Sequence, residues 1–69
     1  MKHDVSFRTT LNGWAWQASF SLHGDAVEYA RSLSRKINRD TIVRVESDRE
    51  YVNVYFRDGE EVINEEIPA

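Results

Sequence analysis

From Val5 to Phe20 the chain alternates apolar and polar residues around a central Asn12-Gly13. Asn-Gly favours a two-residue type I′ hairpin because both central residues need positive φ. A loop there pairs Leu11 with Trp14, Thr9 with Trp16, Phe7 with Ala18 and Val5 with Phe20. The apolar residues of two strands then share one face, and Ser6, Arg8, Thr10, Ala15, Gln17 and Ser19 share the other. This reading puts both tryptophans, Trp14 and Trp16, under whatever covers the apolar face.

After Phe20 the period becomes helical. Ala26, Ala30, Leu33 and Ile37 form an i, i+4, i+7, i+11 stripe flanked by Val27 and Tyr29, which predicts an amphipathic helix of about four turns. Asp25 followed by Glu28 reads as an acidic variant of the capping box, and Asn38 as a left-handed stop. Period two then returns. A turn centred on Asp48-Arg49 pairs Val45 with Val52, Val43 with Val54 and Ile42 with Tyr55. Asp58-Gly59 is a second type I′ signal and folds Glu60 to Ile63 back as a short fifth strand. The order is ββαβββ. It predicts an α+β domain over residues 1–64, a mainly antiparallel sheet with one amphipathic helix packed on one face as a two-layer sandwich, followed by an acidic tail at 65–69. The position of the second hairpin relative to strands one and two stays open at this level.

Composition narrows the function classes. Among 69 residues there is no cysteine, which excludes a disulfide scaffold, a thiolate metal site and a cysteine nucleophile. No apolar run approaches the roughly 18 residues of a membrane span, and no secretory signal follows Met1-Lys2, so a soluble cytoplasmic protein is expected. His3 and His23 lack metal-ligand spacing and read as a tail and a loop histidine. No nucleophile elbow, phosphate-binding glycine loop or His-Glu-x-x-His pattern occurs, so neither enzyme activity nor a cofactor or metal is expected.

The net charge of −3 is an average. Residues 1–45 hold seven basic and four acidic residues, a balance of +3, whereas residues 46–69 hold two and eight, a balance of −6. The acidic part includes Glu46, Asp48, Glu50, Asp58, Glu60 and Glu61, read as an acidic strand edge able to steer the chain onto a basic protein surface. The basic part centres on Arg31, Arg35, Lys36 and Arg39 on the outer side of the helix, which supply the alternative reading, a nucleic-acid face. The overall negative charge argues against that alternative.

The outer face of the second hairpin carries the leading candidate. Ile42, Tyr55 and Val62 make an apolar row across three strands, with Tyr51 one pair further along opposite Glu46. Such a row suits a contact surface for another protein or for a second copy of the chain as a homodimer. The expected function is therefore a small non-enzymatic protein-binding module. In size and layout it is similar to small phage-encoded proteins that inhibit host enzymes or CRISPR complexes by covering their surfaces, a likeness of architecture that no motif carries.

Overall fold

The computed structural model describes residues 2–9, 13–48 and 53–63. Six elements follow in the expected order ββαβββ: β1 (His3–Arg8), β2 (Trp14–Phe20), α1 (His23–Lys36), β3 (Val43–Ser47), β4 (Val54–Arg57) and β5 (Glu60–Val62). One antiparallel sheet has the strand order β2-β1-β3-β4-β5. Strand β1 lies between β2 and β3, so the chain leaves β2, crosses the sheet through α1 and returns beyond β1. This resolves the position of the second hairpin, whose first strand pairs with β1.

Helix α1 packs on one face of the sheet. Its Ala26 and Ala30 meet Val5, Val43, Val45 and Phe56, all fully buried, with Phe7, Phe20, Val27, Leu33, Ile37 and Val54 packed around them. Small alanines on the contact stripe let the helix approach the β-branched residues of the central strands closely. The helix begins two residues before the proposed Asp25 cap. Leu22 occupies the N-cap with no side-chain hydrogen bond, and Asp25 lies in the first turn, where a carboxylate complements the helix dipole. Asn38 is not a left-handed stop. Ile37 already has extended backbone, and Asn38 instead accepts hydrogen bonds at its side-chain oxygen from Asp40 N (2.9 Å) and at its carbonyl from Thr41 N (2.9 Å).

The β4–β5 turn forms as expected, with Asp58 at φ 52° and Gly59 at φ 80°. It is also tied to the helix by a residue that periodicity alone passes over. Ser34 is fully buried on the core side of α1; its Oγ donates to Arg31 O (2.8 Å) and accepts from Gly59 N (2.8 Å). A Cβ on Gly59 would lie 2.4 Å from Arg35 Nε and 2.7 Å from Arg35 Cγ, so the side chain of Arg35 drapes over the turn. Replacing Ser34 by alanine leaves a buried amide without its acceptor, and we expect a loss of about 1–3 kcal/mol. Chemical denaturation of Ser34→Ala measures it, and a change below about 0.5 kcal/mol would show that water replaces the hydroxyl.

Two registers differ from the sequence reading. In the second hairpin the pairs are Val43 with Phe56, Arg44 with Tyr55 and Val45 with Val54. This is a slip of two residues, so each side chain keeps its face while Arg44, not Ile42, stands opposite Tyr55. In the first hairpin Val5 pairs with Ala18 but Ser6 with Trp16, Phe7 with Ala15 and Arg8 with Trp14. Gln17 is the unmatched residue of a β-bulge. The bulge shifts the remainder of β2 by one position, which turns Trp14 and Trp16 to the face away from the helix. Arg8 is thus the residue opposite Trp14, and beyond it the ladder closes with Thr9 N donating to Gly13 O (2.9 Å); Leu11, the expected partner of Trp14, lies outside the described residues. Asn12, Arg49, Glu50, Tyr51, Val52 and the tail 65–69 lie outside the described residues.

Candidate functional site

Directly opposed residues on adjacent antiparallel strands share a face, so the pairings define the outer surface of the sheet. One row runs Trp16, Ser6, Arg44, Tyr55, Val62 across all five strands. On one side of it lie Trp14 with Arg8, and Arg57 with Glu60; on the other lie Ser19, Asp4 and Glu46. Both tryptophans therefore lie on the β2 edge, Arg44 on the central strand, Tyr55 beyond it on β4, and Asp4 and Glu46 together toward one end of the face.

Trp14 lies across this surface. Its ring carries the Arg44 guanidinium 4.1 Å from its centroid and meets the Tyr55 ring at 6.3 Å, tilted by 51°. The Arg44 side chain is 18% exposed and also pairs with Glu46 at 3.5 Å. Ile42 follows the same alternation to this side of β3, and it is 4% exposed while standing outside the helix-side core. The expected exposed row of Ile42, Tyr55 and Val62 is thus corrected: Ile42 is buried and Tyr55 is half-buried against Trp14. The bulge alone delivers Trp14 to this face, where its ring meets Tyr55 and Arg44.

Trp16 behaves differently. It is 61% exposed, so it does not pack under the helix. Yet its ring is held: indole Nε1 donates to Ser19 Oγ at 3.0 Å, and Ser19 Oγ donates in turn to Asp4 Oδ1. Lys2 Nζ lies 3.9 Å from the same carboxylate oxygen. The large apolar surface of Trp16 is presented to solvent in one orientation. Its exposure had no sequence signal, because the bulge that causes it involves an ordinary glutamine.

The charged candidates are scattered. Glu46 pairs with Arg44, and Asp48 accepts from the Lys2 backbone amide at 3.1 Å, at one end of β3. Asp58 and Glu60 stand by the other end of the sheet, in an open polar cleft of about 370 Å³ with Arg39, Asp40, Arg57 and Val62. Glu61 pairs with Phe56, which places it on the helix side at the sheet margin, exposed. Among the described residues the acids do not form one continuous edge. Of the cations expected on the helix, Arg31 lies over the Phe56 ring at 5.2 Å and Arg35 covers Gly59, whereas Arg39 stands beyond the helix end, in the turn after it, and shares the cleft with carboxylates. Lys36 is exposed in the last turn.

The histidines are neither tail nor loop residues. His3 is 1% exposed on β1, shares a 2.6 Å hydrogen bond between its Nδ1 and Ser47 Oγ, and meets the ring of His23 edge to face at 5.2 Å. His23 opens the helix. Among the described residues no group of three or more His, Cys, Asp or Glu is placed to hold a metal ion, and no helix is long and apolar enough to cross a membrane. No protein-family model matches the chain, and neither a curated protein nor a solved structure matches it.

Proposed function

We propose that this protein acts by binding another protein, with the outer face of its sheet as the contact surface and Trp16 as the anchor. The observation that carries the reading is a tryptophan 61% exposed and at the same time fixed by the Trp16–Ser19–Asp4 hydrogen bonds. Exposed indoles buried on association are among the strongest contributors to protein interfaces, and an anchor already held in place loses less rotamer freedom on binding. Trp14, Arg44 and Tyr55 form a firm floor beside it, and the exposed Arg57 adds hydrogen-bond donors for a carboxylate of the partner. The acids at the sheet margins add charge that favours encounter with a basic surface. A module of this kind serves as an inhibitor or adaptor by covering its partner rather than by chemistry of its own. The nucleic-acid alternative has less support, because Arg31, Arg35 and Arg39 lean onto the protein's own hairpin and cleft.

The test places a photo-reactive benzoylphenylalanine at Trp16, and separately at the exposed helix residue Ser32, in the cells that make the protein. We expect an adduct with a different protein from the first probe only, suppressed by excess wild-type chain and not by Trp16→Ala. Identical adducts from both probes, or adducts only between copies of this chain, would overturn the reading.

A further inference from the structure

The two edges of the sheet are built in opposite ways. Strand β5 is three residues long and carries Glu60 and Glu61, both exposed. Short, charged strands are the usual protection against edge-to-edge pairing. Strand β2 at the other edge has seven residues, Trp-Ala-Trp-Gln-Ala-Ser-Phe, without one charge or proline. Exposed apolar surface accompanies it on both faces: Trp16 outside, and Leu22 (62% exposed) and Tyr29 (38%), whose ring packs on Phe20, on the helix side.

The hydrogen-bond phase shows which backbone groups of β2 point away from β1. Arg8 N donates to Ile42 O, so Arg8 directs its backbone groups toward β3 and Phe7 directs its own toward β2. Ala15, opposite Phe7, therefore bonds inward, and its neighbours Trp14 and Trp16 direct their N–H and C=O outward from the sheet. We infer that two copies of this chain join antiparallel through these groups, about a two-fold axis at Ala15, so that Trp14 of each copy exchanges backbone hydrogen bonds with Trp16 of the other.

Several features favour a second copy as the occupant. The edge is self-complementary, with no charge to repel its own image. All four tryptophans of the pair fall on the outer face, each Trp16 beside the other copy's Trp14 at a hydrogen-bonded Cα spacing of about 5.5 Å. Pairing also closes: the ten-stranded sheet has only the short acidic β5 at either end, so no third copy adds. The bulge at Gln17 lies outside the paired stretch. Its side-chain amide donates to Trp16 O at 3.1 Å and leaves that oxygen's second lone pair for the neighbouring copy. This inference concerns the backbone edge of β2; Trp16 takes part both here and in the proposed capture of a different protein, and solution mass reads the pairing where cross-linking to a different protein reads the capture.

Light scattering over micromolar to millimolar concentration should give twice the 8.1 kDa of the chain, returning to the single mass in Trp16→Lys and staying doubled in Glu61→Lys on the other edge. In wild type, the Trp14 and Trp16 amides should exchange with deuterium more slowly as concentration rises. The second measurement stands even where the lysine variant fails to fold. A single-chain mass at every concentration, a dimer that persists in folded Trp16→Lys, assemblies larger than two, or fast exchange at both amides independent of concentration would each overturn the pairing.

Discussion

Phe56→Ala should remove about 3–5 kcal/mol of folding stability, enough to unfold the chain at the lower end of the range for its size. Phe56 is the largest fully buried side chain among the described residues, at the junction of β4, β3 and α1, with the Arg31 guanidinium closing over its ring. Truncating a buried phenylalanine to alanine costs about 3–5 kcal/mol from lost burial and the cavity left behind. A domain of this size has about 3–10 kcal/mol in total, at roughly 0.05–0.15 kcal/mol per residue. The substitution therefore removes a large share of all the stability present. Far-ultraviolet circular dichroism with a urea titration measures it; a variant that retains a cooperative transition within about 1 kcal/mol of wild type would mean that Leu33 and Val54 collapse into the space.

The second large effect is a contrast between residues two positions apart. Trp14→Ala should destabilise by about 2–4 kcal/mol, whereas Trp16→Ala should cost about 0.5 kcal/mol or less when both are compared as monomers. Trp14 carries the Arg44 guanidinium, worth about 0.5–2 kcal/mol where partly desolvated, and packs on Tyr55. Without it the Arg44 guanidinium and the Tyr55 ring lose the surface they pack on. Trp16 touches mainly solvent and holds one exposed hydrogen bond. Denaturation of both variants at low concentration separates the two. Equal losses would indicate that both rings pack alike, as the alternation without a bulge predicts.

The element order, the helix and its buried stripe, the Asp58-Gly59 turn and the inward-facing residues of β3 and β4 were all legible from periodicity and turn chemistry. They are local properties: each depends on residues within a few positions of one another. The slip of two in the β3–β4 register did no harm to these assignments, because side chains alternate with period two and an even shift returns every residue to its face. Val43, Val45, Val54 and Phe56 are where the pattern put them although their partners differ. The same even slip holds for Val5, Ala18 and Phe20 on the far side of the bulge.

Tertiary structure decided what an odd shift controls. One unmatched residue, Gln17, inverts the faces of Trp14, Ala15 and Trp16, and nothing in the sequence distinguishes it from any other polar position on a strand. From that inversion follow the stacked Arg44 and Tyr55 and the exposed, tethered Trp16, which together make the candidate surface. The insertion of β1 between β2 and β3 is of the same kind, since any antiparallel neighbour satisfies the alternation of β1. Only simultaneous packing of α1 against several strands selects the arrangement in which β2, with its uncharged edge, is left on the outside. Periodicity thus determined which residues lie inside each element, because burial repeats with the backbone. Pairing determined which side of the sheet its aromatics serve, because hydrogen-bond ladders tie together residues far apart in the chain.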